Sequence, residues 1–358
     1  MNVNGQHHRA IIGDPATGEV RYIDQTSLPH EFALKTARSM PELAHAIRTM
    51  EVRGAPLIGV TAAFGIALAL RDDASDAALN AARSTLLATR PTAVNLAWAL
   101  KRICEYSQGF SVAERAEAAW TEAQRIADED VALNHAIGRH TLPIIRGLAE
   151  SKHGATVHIL THCNAGWVAT VDWGTALSGI YQAHDANIRI HVWVDETSPR
   201  KQGLITAWEL REHGVPHTVI ADNAGGHLMQ HGRVDMVIVG ADRVTRQGDV
   251  CNKIGTYLKA LAAHDNNVPF YAAVPSPTID LSIGNALREI EIEERSADEL
   301  RHVRGLDSAG RPASIQVLPD ASPAANPGFD VTPARLVTGI ITERGIATPG
   351  ELARLMAV

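Results

Sequence analysis

The segment "ILTHCNAGWVAT", Ile159–Thr170, carries an apolar, β-rich run into Cys163, then into small residues and a helix-like pattern. A thiol at such a junction acts as a nucleophile or base once it ionises. Unpaired backbone N–H groups at a helix N-terminus favour the thiolate, and burial in apolar surroundings opposes it. The residues leave that balance open, and with it the alternative of a packed, inert cysteine. Asp242, in "IVGADR", follows an apolar run directly, behind Gly240. A carboxyl at that depth is either an acid/base group that keeps its proton through partial burial, or the structural partner of Arg243. Arg53 in "EVRGAPLIG", Arg90 in "TRPTAVNL" and Lys253 in "CNKIGTY" each lie at an element junction among small residues. Each alone reads as a surface charge. Together they suggest an anion site, with Gly54 and Ala55 offering backbone N–H groups at the start of a helix in a phosphate-cradling arrangement.

These residues need elements to hold them. From about Gly154 short β-rich runs alternate with helical ones. The strand candidates are "TVHILTH", "IRIHVWVDE", "HTVIAD", "VDMVIVGAD" and "VPFYAAVP". Helix candidates follow each: "GWVATVDWGTALSGIYQ", "GLITAWELREHG", "AGGHLMQHG", "NKIGTYLKALAAHD" and the segment after Pro277. The alternation predicts an α/β fold with a mostly parallel, doubly wound sheet. Polar, small and turn-forming residues collect just past the strands, in "THCNAG", "DETSPRKQG", "ADNAGG", "GADRVTRQGDVCNK" and "VPSPTID". In an open parallel sheet the ligand crevice lies at those carboxyl ends. No GxGxxG follows the first strand, which argues against the usual dinucleotide fold.

Upstream, "RAII" and "EVRYID" flank the turn "GDPATG" and predict a small β-hairpin over residues 9–24. Residues 41–147 read as helical and Ala-rich, with a long charged helix over Ser111–His140. The stretch Ala55–Leu70 is apolar all round, so it predicts a buried helix rather than a membrane span. The division is then a mainly helical N-terminal domain, residues 1–147, and an α/β catalytic domain, residues 148–358. The patch "PDASPAANPGFDVTP", 319–333, reads as a surface loop.

The formal net charge of −7 over 358 residues disfavours non-specific nucleic-acid binding. Three widely spaced cysteines without a CxxC argue against a disulfide framework or zinc cluster and for a reducing, cytoplasmic setting. The N-terminus lacks an apolar signal core. His227 and His231 lie four apart on a predicted helix, but no HExxH or carboxylate pattern accompanies them, so no metal is expected. His158 and His162 lie too far apart along a strand to share one.

"RGAPLIGVTAAFG", "RPTAVNLAWAL", "THCNAG", "QGLITAWEL", "VIVGADRV", "GDVCNKIGTYLKALAAH", "VPFYAAVPSPTID" and "IEIEERS" occur in this order. Together, over about residues 20–345, the chain resembles the methylthioribose-1-phosphate isomerases of methionine salvage. The resemblance implies a helical N-terminal domain, a Rossmann-like C-terminal domain, a homodimer, and isomerisation of an aldose 1-phosphate to a ketose 1-phosphate without a cofactor. It places Cys163 and Asp242 at the family's two catalytic positions. Arg53, Gly54, Ala55, Arg90, Gln202, Asn252 and Lys253 match its substrate-binding positions.

One loop departs from the family's pattern. The family commonly has Thr-Arg-Pro before Gln-Gly-Ala-Arg-Leu-Thr-Ala-Trp. Here Ser198 replaces the Arg, the segment after Gly203 is one residue shorter, and Arg200 is a candidate replacement charge. The departure brings 5-deoxyribose 1-phosphate forward as an alternative substrate. Two further alternatives share the fold: the regulatory subunits of the initiation-factor guanine-nucleotide-exchange complex, which act by binding, and ribose-1,5-bisphosphate isomerase, for which no second basic cluster stands out. For the isomerase, Asp242 is the acid that opens the sugar ring, and Cys163 is either the base for an enediol route or the stabiliser of a hydride shift.

Overall fold

The computed structural model describes residues 1–90 and 92–357; Pro91, within the "TRPTAVNL" motif, and Val358 lie outside them. The predicted hairpin forms, pairing Ile11 with Tyr22 and Asp14 with Glu19. A third strand, Leu34–Ala37, adds to its edge. Helices α1 (Met40–Arg48), α2 (Ala55–Asp72), α3 (Asp76–Leu87), α4 (Val94–Gln108) and α5 (Arg115–Ser151) follow. The apolar surface of α2 is continuous because α1, α3, α4 and α5 all pack on it. Phe64 of α2 is fully buried, meets the Trp120 ring of α5 edge-on at 5.7 Å, and leaves no room for a side chain at Gly13.

The C-terminal sheet has seven strands. Their spatial order is Gly345–Ala347, Gly339–Thr342, Phe270–Ala273, Met236–Val239, Val157–Thr161, Ile190–Asp195 and His217–Ile220. All pairs are parallel except the one joining Gly345–Ala347 to its neighbour. Numbered along the chain, the six parallel strands run 6-5-4-1-2-3. That is the doubly wound order, with its switch point between Val157–Thr161 and Met236–Val239. Helices α6 (Ala176–Asp185), α7 (Gly203–His213), α8 (Ala224–Gln230) and α9 (Thr256–Asp265) make the crossovers. A four-stranded second sheet, ordered Ile279–Asp280, Arg243–Thr245, Val250–Lys253 and Phe329–Thr332, carries further strand-end residues. One apolar core runs from Leu43 and Phe64 through Ile180 to Ile341, because α5 packs on both α2 and α6.

Several expectations need correction. The helix drawn from Gly166 starts only at Ala176, because Trp173 and Gly174 take left-handed φ of 69° and 75°. Before them stands a single 3₁₀ turn, Trp167–Ala169. The segment after Pro277 is not a helix. It makes a 3₁₀ turn, Ser276–Thr278, a short strand, two one-turn helices and an antiparallel hairpin, His302–Leu306 with Pro312–Gln316. The last parallel strand, Gly339–Thr342, comes only after it. The loop patch 319–333 ends in a strand, because Asp330 and Phe329 pair with Asn252 and Lys253. The charged helix starts at Arg115 and continues through Pro143 to Ser151, past the drawn boundary at residue 147.

The enclosure of α2 gives a direct test. Phe64→Ala should lower unfolding stability by about 3–5 kcal/mol in denaturant titration. A loss below about 1 kcal/mol would contradict the central place of this helix.

Candidate active site

Cys163 follows the first parallel strand and Asp242 the fourth, so they stand on the two sides of the switch point. Both line one cleft together with Arg53, Gly54, Ala55, Arg90, Gln202, Asn252 and Lys253. The structure thus gathers all nine residues singled out in the sequence.

Cys163 is not at an α-helix N-terminus. It sits alone between strand and loop at φ 68°, a left-handed conformation rare for a non-glycine residue. Burial pushes its thiol up, and Arg53 and Lys253 pull the other way. Burial likewise raises the Asp242 carboxyl, against Lys253, Arg90 and Arg53. The backbone N–H of Asp242 donates to Cys251 O at 3.0 Å. Arg243 is not its partner: that guanidinium donates to Thr92 O at 3.0 Å and lies 3.6 Å from Asp280. The Asp242 carboxyl lines the cleft, and its burial favours the protonated form that a general acid needs.

Two of the three cations are held by neutral groups. Arg53 Nη2 donates to Asn164 Oδ1 at 3.1 Å. Lys253 Nζ donates to Gly328 O at 2.8 Å and lies 4.2 Å from the Phe329 ring centre. Burial lowers the pKa of both. Among the described residues neither has a carboxylate within 4.0 Å, and buried charge of this kind calls for an anion. Arg90 pairs with Glu293 at 3.1 Å. Gly54 caps α2 at φ 111°, and a side chain there would run 2.3 Å from Ala169 O. Glycine alone lets the N-terminus of α2, whose first turn holds no acid, close on the cleft. Asn252 is fixed by Nδ2 donating to Thr256 Oγ1 at 3.1 Å, and Gln202 caps α7 with its Oε1 buried and unpaired.

Arg200, the candidate replacement charge, lines the cleft, and so does Arg295, which sequence reading missed; Glu299 accepts from the two at 3.0 and 2.6 Å. Arg295 also pairs with Glu293 at 2.7 Å, so an alternating chain of charge runs from Arg90 to Arg200. The motif "IEIEERS" was the available signal for Arg295. Ser198 is exposed and does not line the cleft, whereas Arg200 does. His162 proves fully buried, bonded to Asp195 at 2.9 Å and to Ile254 O at 2.8 Å. His227 and His231 do not line the cleft; their rings pack 4.2 Å apart at the end of α8.

Glu209 of α7 is the other group hidden from the sequence. Its Oε2 accepts from Asn164 Nδ2 at 2.7 Å and its Oε1 from Val168 N at 2.8 Å, so it braces the residue that holds Arg53. Burial pushes its carboxyl up to about 8, against those two donors. A carboxyl raised above its unfolded value stabilises the fold below about pH 4.5, and that contribution is lost as pH rises towards 8. Thermal unfolding of the wild type should fall between pH 5 and 8 more steeply than that of Glu209→Gln, which cannot ionise. Parallel curves would contradict a neutral Glu209.

The initiation factor 2 subunit family matches residues 51–349. A methylthioribose-1-phosphate isomerase of Rhodospirillum rubrum is 60% identical over 352 residues, 97% of this chain and 90% of that protein. One of Brucella anthropi is 59% identical over 98% of this chain and 96% of its own. Among solved structures, a 5-methylthioribose 1-phosphate isomerase from Pyrococcus horikoshii is similar at TM-score 0.83 and 38% identity, covering 98% of this chain and 95% of that one. A structure described as translation initiation factor eIF-2B, subunit delta, from A. fulgidus is similar at 0.80 and 37%, covering 98% and 100%. The chain belongs to the initiation factor 2 subunit family and, within it, to the methylthioribose-1-phosphate isomerases.

Proposed function

We propose that this protein converts S-methyl-5-thio-α-D-ribose 1-phosphate to S-methyl-5-thio-D-ribulose 1-phosphate, an aldose–ketose isomerisation. The observation that carries it is a cleft in which Arg53, buried, and Lys253, half-buried, both held by neutral groups, act on Cys163 and Asp242 alike. A phosphate dianion supplies the charge those cations lack, with Arg90 and the N–H groups of α2 completing its cradle.

The 1-phosphate locks the sugar as a ring, so the ring must open first. Asp242, whose burial favours the protonated form, donates its proton to the ring oxygen as the bond from C1 to that oxygen breaks. Positive charge develops at C1 and spreads to the ester oxygen. The hydrogen on C2 then shifts to C1 with its electron pair. Asp242, now a carboxylate, takes the C2 hydroxyl proton as the carbonyl forms, which restores the acid. Cys163, kept a thiol by burial, sets a polarisable sulfur in the wall and excludes water from the cation. An enediol route would need the thiolate that burial disfavours. Turnover in D₂O should leave C1 of the product free of solvent deuterium, and deuterium there would make Cys163 the base.

Assays of methylthioribose 1-phosphate and 5-deoxyribose 1-phosphate, without added metal or cofactor, test the reading as a whole. Asp242→Asn and Cys163→Ala should each lower kcat by about 10²–10⁴-fold. A wild type that converts neither compound would leave a binding role on the same fold. We also infer a homodimer in the cytoplasm. Three free cysteines suit a reducing compartment, and the hairpin side chains Ile315 and Val317, 65% and 59% exposed, suit burial by a partner. Sedimentation at micromolar concentration should return twice the mass of one chain.

A further inference from the structure

We propose that Asp222, outside the cleft, is a positioning residue for Cys163 and acts through Thr197. The inference rests on the isomerase reading, in which Cys163 stands at the reacting carbons.

Asp222 lies just past the strand His217–Ile220, at the carboxyl end of the third parallel strand. Its Oδ1 accepts from the backbone N–H of Thr197 and its Oδ2 from that of Ser198, each at 2.7 Å. Thr197 is fully buried and sits at φ 61°. A β-branched residue enters that region only when its surroundings compel it. The two amide bonds to one carboxylate supply that compulsion.

The hydroxyl of Thr197 carries the constraint onward. Its one proton goes to Asp195 O at 3.0 Å, so its lone pairs are left to accept, and Oγ1 accepts from Cys163 N at 2.8 Å. On the other side Thr206 Oγ1 donates to Cys163 O at 2.8 Å. Cys163 is itself left-handed at φ 68°. Its amide and its carbonyl are thus each gripped by a threonine hydroxyl, and the grip on the amide hangs from Asp222. A thiol on an unconstrained strand end would fall back to an extended backbone and swing its sulfur away from the substrate carbons.

Asp222, Asp195 and His162 bring a ligand atom each within 4.8 Å of one another, which could be read as a metal set. Both oxygens of Asp222 already serve amides, His162 lies 2.9 Å from Asp195, and the Lys259 ammonium stands 3.2 Å from the same Asp195 oxygen. The cluster supplies its own cation, so the carboxylate of Asp222 is structural to the turn.

The test uses the full-length protein with Asp222→Ala, Asp222→Asn, Thr197→Val and Thr197→Ser, each also combined with Cys163→Ala. Circular dichroism confirms folding, and Asp222→Asn, which keeps one acceptor, serves if Asp222→Ala does not fold. Asp222→Ala and Thr197→Val should lower kcat by about 10- to 100-fold with KM within about threefold, as for a displaced reacting group. Thr197→Ser should retain most of the activity. On the Cys163→Ala background neither change should cost more, because the residue being positioned is gone. Unchanged kcat, a loss carried by KM, or full additivity with Cys163→Ala would each overturn the proposal. Iodoacetamide labelling of Cys163, followed by peptide mass spectrometry, needs no turnover. A changed labelling rate in Thr197→Val with an inactive wild type would fault the isomerase reading and leave the positioning intact, and an unchanged rate would sink the positioning.

Discussion

Desolvation of one cleft governs the chemistry of this molecule. It disfavours charge on whatever it covers, and it acts at once on an acid, a thiol and two bases. Asp242 and Cys163 are driven towards neutrality, while Arg53 and Lys253 become partly desolvated cations with neutral partners. The same physics prepares a proton donor and selects an anionic ligand. An exposed version of the same residues would have an ionised Asp242 and solvated cations, and would do neither.

That cleft exists because two architectures meet at it. The doubly wound order parts the chain between the first and fourth strands, and Cys163 and Asp242 occupy the two sides of the gap. The N-terminal half closes the gap with the start of α2, brought close because Gly54 has no side chain to collide with Ala169. Helix α5 fixes the two halves relative to each other by packing on α2 and α6. A set of polar groups, most of them buried, supports the lining. Glu209 braces Asn164, which holds Arg53, and Asp195, Thr197 and Asp222 hold Cys163. These groups touch no reacting atom, yet they set the directions of those that do.

Much of this was legible beforehand because strand ends advertise themselves. An apolar run that stops at small and polar residues locates a crevice whatever the helices do, and Cys163, Asp242 and Lys253 all lie at such stops. The helix after Cys163 was misread because Trp173 and Gly174 turn left-handed inside an apolar pattern that periodicity alone accepts as helical. The last parallel strand, Gly339–Thr342, was hidden behind some sixty residues of irregular chain after Phe270–Ala273. Glu209 was unreadable for another reason. A glutamate in the middle of a helix reads as solvated, and only the Asn164–Val168 segment packed over it makes it a buried acid.

The sequence by itself determined the parallel alternation, the family and nine of the residues that line the cleft. These are properties of local pattern and of motifs in order. The tertiary structure alone decided which way the Cys163 thiol and the Asp242 carboxyl shift, whether Arg243 or the cleft takes Asp242, and what holds Cys163 in a left-handed backbone. Each of those depends on how much solvent is removed and on partners distant in the chain, such as Thr92 and Arg243, 151 residues apart. Burial and long-range pairing arise only when the chain closes on itself, so no local reading of residue types contains them.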